Sequence, residues 1–132
     1  IMLVDDDEPT NFLNKLIIRE AGFVNCICVM SSAGTALRYF KKREDMPDKG
    51  KFIIPDIILL DINMPGINGW EFIEAFKMMD EDIRSKTKII VLTSSMNPED
   101  IDKSKSIREI SAYMTKPLTE SMINSIVKDH FN

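Results

Sequence analysis

An α/β domain built on a five-stranded parallel sheet is what the sequence predicts, and two observations carry that expectation. Short, nearly continuous apolar runs alternate with segments of helical period from one end of the chain to the other, as happens when parallel strands are covered on both faces by their crossover helices. No internal repeat or low-complexity linker breaks the alternation, and 132 residues leave room for one domain around one core, here residues 1–132.

The strands are expected at residues 1–4, 26–30, 57–60, 89–92 and 112–115. The first has only four residues before a run of acids, which implies that a few native residues precede Ile1. Between the first two strands, Phe12, Leu13, Leu16 and Ile17 fall on one helical stripe, and Gly22 stands just past its end, where a left-handed backbone stops a helix. Ala33, Ala36, Leu37 and Phe40 repeat that spacing in the second helix. The polar stretch 44–55, with two prolines and a glycine, reads as a surface loop without chemistry. Trp70, Ile73, Phe76 and Lys77, with Phe72 and Met79 beside them, mark the third helix. The fourth should open at Asn97 with Pro98 in its first turn. Its apolar positions are only Ile101, Ile107 and Ile110, so it should bury little. Met122, Ile123, Ile126, Val127 and Phe131 form the fifth, with Thr119 as its N-cap. Five strands and five helices in strict alternation, joined by right-handed crossovers, result.

Composition excludes several classes of function. A net charge of −4, with 44% apolar and 29% charged residues, suits a globular protein rather than a nucleic-acid or anionic-membrane surface, which needs clustered Lys and Arg. The basic cluster at 41–43 is short and reads as a solvated helix end. No apolar run has the length of a membrane span and no signal-type stretch opens the chain, so a cytoplasmic location is expected. Cys26 and Cys28, one residue apart on an apolar segment, share a strand face and suit neither a disulfide nor a zinc site; small core residues are the expectation.

In an open α/β sheet, ligands sit beyond the carboxyl ends of the strands. Strand one ends in Asp5, Asp6 and Asp7, strand three in Asp61, strand four in Thr93 and Ser94, and strand five in Lys116 followed by Pro117. Carboxylates gathered from two strands repel by about 4 kcal/mol at 4 Å in a surface-like dielectric, so a cation is needed. A hard divalent ion such as Mg²⁺, held by carboxylates and leaving positions for water and phosphate oxygens, is the natural candidate, with Lys116 as a second cation. Carboxylates, a divalent ion, a lysine and a hydroxyl are what phosphoryl transfer requires.

These residues resemble the receiver domain of two-component response regulators. The likeness rests on Val4-Asp5-Asp6, on Leu59-Leu60-Asp61-Ile62-Asn63-Met64-Pro65 with Gly69 after it, on Leu92-Thr93-Ser94 and on Lys116-Pro117, and it spans essentially the whole chain. It implies a flavodoxin-like (βα)5 sandwich with strand order 2-1-3-4-5. It further implies that Asp61 is the phosphoacceptor and that Asp6 binds Mg²⁺ (or Mn²⁺) directly while Asp5 acts mostly through water. The Asp61 carboxylate and the backbone carbonyl of Asn63 would complete the metal ligands, and Lys116, joined to Pro117 by a cis bond, would pair with the phosphoryl group. Thr93 would bind a phosphoryl oxygen through its hydroxyl and Ser94 another through its backbone N–H. Tyr113 would turn inward as Thr93 moves, reshaping the surface of helix four, strand five and helix five. Asn63 and Ser95 stand where family members tune phosphate lifetime, and a small Ser95 suggests no unusual persistence. The partners implied are a histidine kinase or histidine phosphotransfer protein as donor, an effector whose identity the residues do not reveal, and a phosphorylation-dependent dimer as a further option. Direct nucleic-acid binding and membrane binding are not expected. The chain would catalyse only its own phosphotransfer and autodephosphorylation.

Plainer readings stand beside these. Asp5, Asp6, Asp7 and Glu8 would also suit the positive end of a helix, and Tyr113 could be an ordinary half-buried strand aromatic. His130 reads as a favourable charge at a helix end, and Met64 as packing beside the active loop. A phosphate-independent module of the same fold would have lost the acid pair, the phosphoacceptor or the lysine, all kept here. A haloacid dehalogenase-like phosphatase would want a second acid where Asn63 stands.

Overall fold

Five strands, β1 (Met2–Val4), β2 (Cys28–Met30), β3 (Ile57–Leu60), β4 (Lys88–Thr93) and β5 (Ile110–Thr115), pair in parallel in the order β2-β1-β3-β4-β5. The computed structural model describes residues 1–22 and 26–131, with side chains as far as His130. The expected place of Phe131 in the last apolar stripe therefore lies outside the described residues. The sheet order is the one anticipated, and the central strands β1 and β3 are buried along their whole length.

Alternation along those strands feeds two cores. Met2, Val4, Ile58 and Leu60 point to the side covered by α2 (Ala33–Asp45), α3 (Gly69–Lys77) and α4 (Glu81–Lys86), where Ala36, Phe40, Phe72, Phe76 and Ile83 meet them. Leu3, Ile57 and Leu59 point to the other side, against Ile18 of α1 (Glu8–Ala21) and Ile123 and Ile126 of α6 (Glu120–Phe131). Truncating a ring such as Phe72 or Phe76, both essentially inaccessible, carries a cost of about 3–5 kcal/mol.

Helix ends follow the sequence closely. Gly22 caps α1 with φ 80°, and Thr119 caps α6 by accepting from the Met122 N–H. Asn97 opens α5 (Pro98–Ser106) by accepting from the Glu99 N–H, with Pro98 in the first turn. Only Ser104 is buried within α5, so this helix is thinly anchored, as its sparse apolar content implied. The reason differs in part from the expectation: Ile107 lies just past the helix and Ile110 opens β5.

Other expectations are corrected. Six α-helices are present among the described residues, because α4 follows directly on α3, and a 3-10 turn at Lys49–Lys51 interrupts the polar loop. Basic residue Arg43 is no solvated helix end: it is buried and reaches Asp80 at 3.0 Å and Asp82 at 3.2 Å, tying α2 to the start of α4. Cys26 precedes β2 and is exposed, so only Cys28 has the partly buried strand position foreseen for both. The largest correction concerns α1. Its inner face consists of Asn11, Asn14 and Ile18, whereas Phe12, Leu13 and Leu16 are 64%, 56% and 42% exposed. Hydrogen bonding fixes that rotation. Asp7 caps the helix from Thr10 N–H, and the Asn11 amide donates to the Asp5 carbonyl at 2.8 Å, which turns the asparagine face inward.

Candidate functional site

The predicted site residues gather at the carboxyl edge of the sheet, and Asp5, Asp61 and Lys116 stand on backbone still held by the neighbouring strands. Asp5 N–H donates to Met30, Asp61 N–H to Val4 and Lys116 N–H to Thr93, so three side chains just past their strands are fixed relative to one another. The Lys116–Pro117 bond is cis, as expected. Gly69 closes the loop after β3: its N–H donates to the Ile62 carbonyl, and a Cβ there would stand 2.6 Å from the Asp61 carbonyl oxygen and 2.6 Å from the Ile62 Cα.

Within this frame, carboxylate oxygens of Asp5, Asp6 and Asp61 all lie within 4.8 Å of one another. Lys116 Nζ donates to Asp5 Oδ2 at 2.6 Å and to Asp61 Oδ2 at 3.3 Å. Burial works to lower the basicity of Lys116, but its hydrogen bond to Asp5 and the charges of Asp5 and Asp61 outweigh it and hold the ammonium above its ordinary range. The lysine is therefore a fixed positive charge, not a proton donor at neutral pH.

One ammonium against three carboxylates leaves two negative charges in excess, with Asp5 and Asp61 both buried. An all-oxygen donor set with that excess fits a hard divalent cation. The three acids do not share the task equally. Asp5 is already engaged on both oxygens, accepting from Lys116 and from the Asp7 N–H, whereas Asp6 is exposed and uncommitted among the described hydrogen bonds. Asp61 offers Oδ1, which accepts from the Asn63 N–H at 3.2 Å, and Oδ2, which faces Lys116.

The remaining residues form a second layer. Thr93 is fully buried at the end of β4, and its Oγ1 accepts from the Ser95 N–H at 3.2 Å. Tyr113 is half-buried and donates through its hydroxyl to the Ser95 carbonyl at 2.8 Å. Ser94 is exposed beside them. Met64 is buried, as expected of a packing residue. Sequence reading missed two contributors: Asn11, whose amide anchors the Asp5 carbonyl, and Asp100, whose carboxylate accepts from the Ser95 hydroxyl at 2.6 Å. For Asp100 a signal existed, an acid in the first turn of a helix that starts a few residues after the threonine.

A parallel 2-1-3-4-5 sheet with an aspartate triad, a lysine and a buried threonine at its carboxyl edge defines a class of domain built around one central acid. The chain belongs to the response regulator receiver domain family, whose profile matches residues 1–128. It is similar in structure to a two-component response regulator from Cytophaga hutchinsonii, at TM-score 0.86 and 36% identity over 99% of this chain and 95% of that one. It also resembles a response regulator receiver protein from Dyadobacter fermentans, at TM-score 0.82 and 27% identity over 98% and 95% of the two chains. In sequence it is 26% identical to a probable methanogenesis regulatory protein, FilR2, of Methanothrix harundinacea, over 98% of this chain and 79% of the relative. No helix among the described residues is long and apolar enough to cross a membrane.

Proposed function

We propose that Asp61 accepts a phosphoryl group from a phosphohistidine on a kinase or phosphotransfer protein, and that the modified domain then signals through α5, β5 and α6. The observation that carries this reading is the meeting of Asp61, Lys116 and the acid pair at one sheet edge, with Lys116 already within hydrogen-bonding reach of Asp61.

A carboxylate oxygen of Asp61 attacks phosphorus, the bond to the donor imidazole breaks, and the electron pair returns to the imidazole nitrogen. Backbone and side chain prepare for this in distinct ways. The Asn63 N–H holds one Asp61 oxygen and so fixes the orientation of the other. Lys116, placed between Asp5 and Asp61, supplies a positive charge for the incoming phosphoryl oxygens. Asp6, Asp61 and the Asn63 carbonyl would hold Mg²⁺ or Mn²⁺, with Asp5 acting through water. The ion, when bound, offsets the negative charge that builds on the phosphoryl oxygens. The Thr93 hydroxyl then donates to one phosphoryl oxygen and the Ser94 N–H to another. Because Thr93 already touches Ser95, and Ser95 touches Tyr113, a shift at Thr93 is passed toward β5 and α5. The chain acts on no external substrate in turnover; its chemistry is its own phosphorylation and dephosphorylation, in a cytoplasmic setting where such donors reside.

Two results are expected. Incubated with acetyl phosphate and Mg²⁺, the chain should gain one phosphoryl group by intact mass, and excess EDTA should suppress the gain by at least tenfold; equal labelling with and without chelator would remove the metal from the account.

The second result concerns the donor. Phe12, Leu13 and Leu16 form an exposed apolar patch on the second and third turns of α1, shortly after the acid-rich turn. A patch of that kind beside the phosphorylation site suits the apolar side of a helical phosphodonor. Replacing Phe12 by alanine should slow transfer from a phosphorylated histidine domain by about tenfold, as for a buried aromatic contact worth one to two kcal/mol. Labelling by acetyl phosphate, which needs no docking, should not change.

A further inference from the structure

Ser95 is the crossing point of four hydrogen bonds that join three elements. Its N–H donates to Thr93 Oγ1 at 3.2 Å, at the end of β4. Its carbonyl accepts from the Tyr113 hydroxyl at 2.8 Å, on β5. Its own hydroxyl donates to Asp100 Oδ2 at 2.6 Å, in the first turn of α5, and accepts from the Asn97 N–H at 3.3 Å. Everything else about α5 is loosely held. Ser104 is its only buried residue, and beyond the backbone its described side-chain tie to another helix is Lys103, which lies over the Trp70 ring of α3 at 4.7 Å from the centroid.

A hydroxyl donating to a carboxylate at 2.6 Å is a charge-assisted bond, stronger than a neutral one and partly shielded from water here because both residues are half-buried. It is therefore the firmest polar link between the loop after β4 and the helix that follows. Apart from the Asn97 N–H that the hydroxyl also accepts, the remaining contacts of Ser95 run through its backbone and survive loss of the side chain. Side chain and backbone of one residue thus serve separate connections: the backbone reads Thr93 and Tyr113, and the side chain holds α5.

We propose that Asp100 is a positioning residue that couples α5 to the phosphorylation site by gripping the Ser95 hydroxyl. This inference rests on the phosphoacceptor reading of Asp61 and adds the route by which the event leaves the site. When Thr93 moves toward a phosphoryl oxygen, the Ser95 N–H follows it, and the Ser95–Asp100 bond makes the first turn of α5 move with the loop. An acid in a helix's first turn also favours the helix dipole, so removing Asp100 alone would not separate coupling from helix stability. Ser95→Ala leaves the acid in place and Asp100→Ala leaves the Asn97 N–H bond to the Ser95 hydroxyl in place, so an effect shared by both reports the one bond they have in common.

The experiment follows backbone amide signals in the wild-type chain and in Ser95→Ala, Asp100→Ala, Asp100→Asn and the double variant Ser95→Ala/Asp100→Ala, before and after beryllofluoride with Mg²⁺. In Ser95→Ala and Asp100→Ala the beryllofluoride-induced shifts over residues 98–106 should fall by roughly twofold or more, while those at Thr93 and Ser94 persist. The double variant should lose no more than Ser95→Ala alone, because the Ser95–Asp100 bond is already gone in that variant. Asp100→Asn keeps an acceptor and should restore part of the response. Wild-type shifts over α5 in both alanine variants overturn the proposal. If the wild-type chain itself shows no change at Thr93, the phosphoacceptor reading falls, and the coupling falls with it.

Discussion

Asp61→Asn should take up no detectable phosphoryl group from acetyl phosphate under conditions where the wild-type chain takes up one. The amide has no carboxylate oxygen to attack phosphorus, and the neighbouring acids are committed elsewhere or turned to solvent. Asp5 accepts from Lys116 and from the Asp7 N–H, and Asp6 is exposed at the rim. Folding should survive the change. The amide oxygen can still accept from the Asn63 N–H or from Lys116, and the substitution removes one of three crowded negative charges. Stability should therefore stay within about 1 kcal/mol of wild type. Intact mass and thermal unfolding on the same samples check both halves. Labelling of the variant at the wild-type level would mean that another residue is the acceptor.

Gly69→Ala is expected to destabilise the loop that carries Asp61 more than any other substitution beside the site. An added Cβ would lie 2.6 Å from the Asp61 carbonyl oxygen, 2.6 Å from the Ile62 Cα and 2.9 Å from the Ile62 Cγ2. Two of those three atoms are backbone, which cannot rotate away, so α3 must retreat from the loop that carries Asp61. Overpacking of this severity costs about 3 kcal/mol, equivalent to roughly 10 °C in Tm for a chain of this size. Because the displaced segment holds Asp61 and Asn63, labelling should slow as well, even at temperatures where the variant is folded. A variant with wild-type Tm would show that the close approach of α3 to the loop after β3 is not required. By contrast, Gly66 has φ 73° but open space around it, so its constraint is conformational alone.

Much of this was legible in the residues because strand ends in a parallel sheet are marked twice, once by an apolar run stopping and once by a polar side chain following. That double mark located Asp5, Asp61, Thr93 and Lys116 before any geometry was known, and β3 fell at the expected bounds. Caps were equally readable: Gly22 ends its helix by adopting a positive φ, and Asn97 and Thr119 each begin one by accepting a backbone N–H on the side chain.

The misreadings share a cause. Periodicity reports which residues share a helix face but not which face turns inward. In α1 the rotation is set by the polar contacts of Asp7 and Asn11, so the apolar stripe Phe12, Leu13, Leu16 faces solvent and two asparagines face the sheet. Arg43 was misread for a similar reason, since its burial depends on Asp80 and Asp82, residues nearly forty positions away. The Ser95–Asp100 bond, too, joins side chains whose meeting depends on the path of the short segment between β4 and α5.

The central claim is that a phosphoryl group enters this domain at Asp61. Reduction of the acetyl-phosphate-treated chain with borohydride converts an aspartyl phosphate to homoserine, and peptide mass spectrometry then locates it. Homoserine at position 61, and at neither 5 nor 6, is the predicted result. Homoserine at Asp5 or Asp6, or none anywhere in a folded and labelled chain, would contradict the account.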